Sequence, residues 1–165
     1  MSGLRLASDP RRACVGLGLR SEIHASVLDA LDGRGADGTS DLAARVDFFE
    51  VAPENYMRRG GYLPHVLERV AARFPLLSHG LTMSFGGTDP FDAAYMSELR
   101  AFVGRFGFPF HSDHLCFASG GGRVFHDLFP LPLLRATVEN AVRRIREVRD
   151  RLGVRAYLYK PATTL

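Results

Sequence analysis

The stretch Phe110-His111-Ser112-Asp113-His114-Leu115-Cys116-Phe117 reads as a buried strand that ends in chemistry, a largely apolar run carrying four polar groups. Alternate residues of a strand share a face, so Ser112 and His114 point one way and His111 and Asp113 the other. A second run, Leu76-Leu77-Ser78-His79-Gly80-Leu81, has the same form: apolar residues, then Ser, then His at the strand's end. As parallel neighbours the two strands lie about 4.8 Å apart, and their terminal imidazoles reach a common point. Imidazole is a common ligand of zinc and iron at about 2.0–2.1 Å. The competing expectation is that each His is a polar residue satisfied by backbone near a loop.

Outward from these two runs, the chain alternates strand and helix. Cys14 to Leu19 is a glycine-containing first strand, whose Gly16 and Gly18 lack the third glycine of a dinucleotide fingerprint. Ser21 is placed to cap a helix carrying Val27, Leu28 and Leu31 on one face. Val46 to Val51 is the second strand and runs into the polar turn Ala52-Pro53-Glu54-Asn55-Tyr56-Met57. Pro64 suits the first turn of a helix whose apolar face is Leu63, Leu67, Val70, Ala71 and Phe74, stopped by Pro75. After the His79 strand, Asp89-Pro90 predicts a helix start, and Met96, Leu99, Phe102, Val103 and Phe106 repeat at helical spacing up to Gly107. Beyond the His114 strand, 118–132 reads as a long loop containing Gly120-Gly121-Gly122, Arg123, His126 and Asp127. A long helix follows, with Leu134, Val138, Ala141, Ile145, Val148 and Leu152 as its apolar face and Gly153 as its stop. Ala156 to Tyr159 is the last strand.

Five strands alternating with helices predict βαβ units and a parallel sheet. Polar residues follow the strands: Arg20, Glu54, His79, Asp113 with His114, and Lys160. That end carries the chemistry of both (β/α)8 barrels and open α/β sheets. With no phosphate-binding glycine loop, the expected fold is the barrel. A full barrel needs eight strands and about 250 residues. The expectation for residues 1–165 is therefore the N-terminal part of a single (β/α)8 barrel domain, the first five βα units of a truncated barrel.

Bulk properties narrow the function. A chain of 165 residues, 46% hydrophobic and 24% charged, is ordinary for one soluble domain with a proper core. The net charge is +3, and much of the arginine lies between Arg135 and Arg155, interleaved with Glu139, Glu147 and Asp150. That mixture reads as a solvated helix face rather than a nucleic-acid patch. Cys14 and Cys116 have no CxxC spacing and read as free thiols of a reducing compartment. Met1 to Arg12 has no apolar signal core, and no run approaches the length of a membrane span. The expectation is a cytoplasmic protein with no nucleic acid or membrane partner.

The ordered set Gly16-Leu17-Gly18-Leu19-Arg20, Phe48-Phe49-Glu50-Val51 with Pro53-Glu54-Asn55-Tyr56-Met57, Ser78-His79-Gly80, Ser112-Asp113-His114-Leu115, and Asp127-Leu128 with Pro130-Leu131-Pro132 resembles the multinuclear non-haem iron-dependent oxidases (MNIO), the family of the methanobactin oxidase MbnB. The resemblance covers about Gly16 to the end. It implies a xylose-isomerase-like TIM barrel, two or three iron ions, and oxygen-dependent modification of cysteine or other residues in ribosomally made (RiPP) peptides. It also implies a precursor peptide as substrate and a small partner protein that delivers it. By motif, His79 and His114 match metal ligands, and Asp113 matches a carboxylate that orients its neighbours from behind them. Glu54 and Asn55 match the acidic loop after the second strand, with loop capping as the competing expectation. His24 matches a frequent His of the family, with a surface role as its competitor. Tyr159-Lys160 stands where the family typically has Glu-Asn, whose Glu bridges metals. Tyrosine cannot bridge as a carboxylate does, lysine brings positive charge toward a cation site, and ligands from later strands are absent. At most one iron is therefore expected here, weakly held and without turnover. Two rivals accompany this reading. One is another metal-dependent barrel, of sugar isomerase or endonuclease type, using zinc or manganese with Glu54 moving a proton. The other is a non-catalytic, degenerate fragment.

Overall fold

A computed structural model of the chain describes residues 14–34, 42–154 and 159–161, with backbone alone at 43, 126 and 159–161. Its elements run β1 (Gly16–Gly18), a 3-10 turn (Ser21–Ile23), α1 (His24–Leu31), α2 (Leu42–Arg45), β2 (Phe48–Val51), a second 3-10 turn (Pro53–Asn55), α3 (Tyr62–Ala71), β3 (Leu76–His79) and α4 (Ala93–Phe106). They continue with β4 (His111–Leu115), β5 (Phe117–Gly120), β6 (Arg123–Phe129), α5 (Arg135–Leu152) and β7 (Tyr159–Pro161). The fold is mixed α/β, with parallel-paired strands alternating with helices. The chain divides into two compact units at Leu77/Ser78, within β3.

In the first unit β1 pairs with β2 in parallel, Leu17 opposite Phe49, and Phe49 N–H donates to Pro75 O at 3.0 Å. Its buried side chains include Val27, Phe49, Val51, Val66, Leu67 and Val70. Phe49 meets Phe74 edge-on at 5.2 Å. Pro64 does fall in the first turn of α3, where its missing N–H costs no helix bond. Ser21 does not cap α1: it opens the 3-10 turn, and the helix proper starts at His24 without a side-chain cap.

In the second unit β3 pairs with β4 in parallel, Ser78 opposite His111 and His79 opposite Ser112. β4 pairs with β7 in parallel, Asp113 opposite Tyr159 and His114 opposite Lys160. Met96, Leu99, Phe102 and Val103 of α4 are buried, as the periodicity predicts, and Gly107 ends the helix in the left-handed region at φ 64°. The helix begins later than Asp89-Pro90 predicts. Asp92 is the cap, accepting from Ala94 N–H at 2.7 Å and Tyr95 N–H at 3.1 Å. Asp89 serves the hairpin instead, accepting from Gly122 N–H at 2.9 Å.

Three further regions differ from expectation. Where the sequence predicts a loop over 118–132, β5 and β6 form an antiparallel hairpin. Its two-residue turn is Gly121-Gly122, at φ 59° and 74°, a conformation that favours glycine and matches strand twist. Phe117, Phe125 and Phe129 cluster on it, edge-on or tilted, with centroids 5.5–5.9 Å apart. Second, the apolar stripe of α5 is buried only at Ala141, Val148 and Leu152, while Leu134 and Val138 are each 62% exposed. Third, Arg144 is not part of a solvated face. Its buried guanidinium lies 3.8 Å from the Phe91 ring centre, donates through Nη1 to Asp89 O at 2.7 Å, and through Nη2 to Ser84 O at 3.3 Å. Arg144 thus ties the loop before α4 to α5. The predicted last strand, 156–159, lies mostly outside the described residues, as do Met1 to Arg12 and the tip of the polar loop at 35–41.

Candidate functional site

The site is built by the swapped order of Ser-His in β3 and His-Ser in β4. The parallel register sets Ser78 opposite His111 and His79 opposite Ser112, and the two-residue period of a strand sends those pairs to opposite faces. On one face His79 Nδ1 and Ser112 Oγ are 2.8 Å apart. Ser112 Oγ also donates to Ser78 O at 3.2 Å. His79 Nε2 then faces His114 Nε2 at 3.1 Å, with ring centres 4.8 Å apart. These three side chains are half-buried. The expectation that the two strand-end imidazoles reach a common point is met in this geometry.

On the other face Ser78, His111 and Asp113 are fully buried. Ser78 Oγ and His111 Nδ1 are 2.8 Å apart. His111 Nε2 has no hydrogen-bond partner and stands 3.9 Å from Asp113 Oδ2. Burial first, and then the neighbouring His79, push the His111 pKa down to about 3, so the ring is neutral. Asp113 Oδ1 accepts from His114 N–H at 2.6 Å, and Oδ2 accepts from Met83 N–H at 3.4 Å. Asp113 therefore holds the backbone of His114 and of the turn after β3. Gly80 closes this face: a Cβ there meets Asp113 Oδ2 at 2.5 Å and His111 Cε1 at 2.8 Å.

Fit to a metal can be judged from the imidazole pair. Two nitrogens about 2.0–2.1 Å from one ion stand about 2.8–3.4 Å apart when the angle between them is about 90–110°. The 3.1 Å between His79 Nε2 and His114 Nε2 lies in that range. Among the described residues no group of three or more His, Cys, Asp or Glu gathers to hold a metal ion, and His79 with His114 is the candidate pair. β7 brings the backbone of Lys160 into register with His114, but the side chains of Tyr159 and Lys160 lie outside the described residues.

The remaining candidates belong to the first unit. His24 is not on the surface: it is buried at the head of α1. Tyr56 Oη donates to Leu19 O at 2.9 Å, so its oxygen accepts from His24 Nε2, 3.1 Å away. The apolar face of α1 includes position 24, which accounts for the burial. Burial also pushes the Tyr56 pKa up to about 12. Glu54 and Asn55 lie in the 3-10 turn after β2, the first half-buried and the second exposed. The motif reading names Asp113, His79 and His114 but assigns no part to Ser112, Ser78, His111 or Gly80. The signal for them is the swapped Ser-His and His-Ser order combined with parallel pairing. The buried Arg144 gives no such signal, because it sits among exposed arginines.

A helix-and-parallel-sheet protein with an imidazole pair at the carboxyl ends of two neighbouring strands defines a class of α/β proteins whose chemistry sits at strand ends. The chain belongs to the RiPP precursor modification enzyme family MbnB/TglH/ChrH, whose pattern matches residues 14–165. Three relatives to which it is similar are each named a UPF0276 protein. One from Neisseria meningitidis is 42% identical over 121 residues, covering 69% of this chain and 43% of the relative. One from Shewanella sediminis is 38% identical over 139 residues, covering 84% and 46%. One from Acinetobacter baylyi is 36% identical over 151 residues, covering 92% and 48%. The chain thus spans less than half the length of these curated relatives. No helix among the described residues is long and apolar enough to cross a membrane.

Proposed function

We propose that this chain carries part of the iron site of an oxygen-dependent enzyme that modifies cysteine-containing, ribosomally made precursor peptides. Membership of a RiPP precursor modification family supports the substrate class. The observation that carries the metal reading is the 3.1 Å approach of His79 Nε2 and His114 Nε2. In this reading those imidazoles are two ligands of one iron, and Asp113 fixes the backbone from which His114 projects. His79 and His114 would hold the iron, which would supply oxygen activation and an affinity for a substrate thiolate. His79 and His114 hold their rings toward each other from adjacent strands on a half-buried face. Glu54, Asn55 and His24 keep substrate-side roles on the motif alone. Tyr159 and Lys160 stand at the departed position of the bridging carboxylate, so one weakly held ion at most belongs to residues 1–165.

The fold that goes with this reading is the N-terminal part of a (β/α)8 barrel, its first five βα units, working in the cytoplasm with a small peptide-delivering partner. The test is anaerobic titration of the chain with ferrous iron, followed by metal analysis. One weak site, lost in His79→Ala and in His114→Ala, is expected. Two or more tight sites, or undiminished binding in both variants, overturns the assignment.

A further inference from the structure

We propose that Ser112 is a positioning residue that holds His79 in the tautomer whose Nε2 carries a bare lone pair. The inference deepens the iron-site reading and rests on it for its purpose, though the tautomer itself is a property of the metal-free chain.

The argument is a count of hydrogens. A serine hydroxyl has one hydrogen to give and can accept through its oxygen. Ser112 Oγ lies 3.2 Å from Ser78 O, a carbonyl that can only accept, and 2.8 Å from His79 Nδ1. If the hydroxyl gives its hydrogen to Ser78 O, its oxygen accepts from His79 Nδ1–H, and both contacts are hydrogen bonds. If it gives its hydrogen to Nδ1 instead, the contact with Ser78 O becomes two oxygens facing each other with nothing between them. The first arrangement makes one more hydrogen bond at a half-buried position, where each is worth about 0.5–1.5 kcal/mol net. It leaves the hydrogen on Nδ1, so Nε2 has none.

His79 Nε2 faces His114 Nε2 at 3.1 Å, and two bare lone pairs do not approach that closely. The hydrogen between the rings therefore belongs to His114. The two imidazoles are unequal in the metal-free chain: His79 is already in the form that binds a metal through Nε2, whereas His114 must move a proton from Nε2 first. Fixing a ligating ring through its second nitrogen is how neighbouring groups raise metal affinity in general. Here the neighbour is a hydroxyl anchored on the carbonyl of the residue preceding the ligand.

The test is long-range proton–nitrogen NMR of the nitrogen-15-labelled, metal-free chain, with ferrous iron titration of the same samples. His79 is expected with hydrogen on Nδ1 and none on Nε2, and His114 with hydrogen on Nε2. Ser112→Ala is expected to leave His79 in mixed tautomers and to weaken ferrous iron binding about 10–100-fold. Ser112→Thr, which keeps the hydroxyl, is expected to restore both. Hydrogen on His79 Nε2 in the unsubstituted chain overturns the proposal, as does a Ser112→Ala chain that keeps the single tautomer. If His79→Ala and His114→Ala leave iron binding untouched, the ligand reading fails, and the nitrogen shifts still decide the role of Ser112.

Discussion

The two faces of the β3–β4 pair hold the same residue types in nearly the same contact, and they have opposite characters. On one, His79 and Ser112 are half-buried, and the free edge of the imidazole meets a second imidazole. On the other, His111 and Ser78 are fully buried, and the free edge of the imidazole meets no hydrogen-bond partner. The Ser–His distance is 2.8 Å on both. What separates a candidate ligand from a structural histidine here is thus not the nearest partner but the surroundings of the second ring nitrogen. Those surroundings follow from one step along the strand, since adjacent residues face opposite ways.

The largest expected effect tests how tightly the buried face is closed. Gly80→Ala puts a Cβ 2.5 Å from Asp113 Oδ2 and 2.8 Å from His111 Cε1, both on fully buried side chains with nowhere to retreat. Overpacking of this kind costs about 2–3 kcal/mol. Urea unfolding of Gly80→Ala measures it, and a loss under about 0.5 kcal/mol contradicts the closed face. Leu81→Ala, at a side chain that is exposed, is the control and should change little.

Next in size is a pH effect that belongs to the buried face alone. Burial, with His79 second, holds the His111 pKa at about 3, while the unfolded chain returns it to about 6.5. Between those values the unfolded chain binds a proton that the folded chain does not. Stability is complete above about 6.5 and falls as pH drops, by up to about 1.4 kcal/mol per pH unit. From pH 7 to pH 5, a range that leaves most carboxylates ionised, the loss is about 2 kcal/mol. His111→Gln should remove it, as read from urea midpoints at the two pH values. An equal pH dependence in the variant and the parent chain would falsify the assignment to His111.

The comparison also marks what the sequence can carry. Alternation along 110–117 places Ser112 with His114 and His111 with Asp113, because period-two facing needs only a strand and one apolar side. Parallel pairing of β3 with β4 follows from strand–helix alternation, and the meeting of His79 with His114 follows from both. The register does not, and the register decides which Ser faces which His. Arg144 escapes for a different reason: its burial depends on Phe91, Asp89 and Ser84, which are 53 to 60 positions away in the chain. The hairpin at 117–129 was legible in Gly121-Gly122, a two-residue turn signal, but apolar alternation around it is broken by the register shift between Phe117 and Ser119. The exposed Leu134 and Val138 stripe of α5 has helical period without burial, so periodicity alone overstates that core.

The smallest expected effect is the sharpest, because it changes the same atom on both faces. Ser78→Ala and Ser112→Ala each remove one hydroxyl that touches a histidine Nδ1 at 2.8 Å. On the buried face the loss leaves the His111 ring without its hydroxyl partner, beside an Nε2 that already has none. A buried polar group stripped of its partner costs about 1–3 kcal/mol. On the half-buried face water can take the place of Ser112, and an exchange of protein for water at such a site costs about 0.5–1 kcal/mol. Ser78→Ala should therefore be the more destabilising by about 1 kcal/mol in urea unfolding, with unchanged m-values. Iron binding should order them the other way, since only Ser112 bears on the ring that faces His114. Equal losses of stability would mean that the two faces are equally wet. Equal losses of iron affinity would mean that the strand pair acts as one body, and the contrast between the faces would then lie in burial alone.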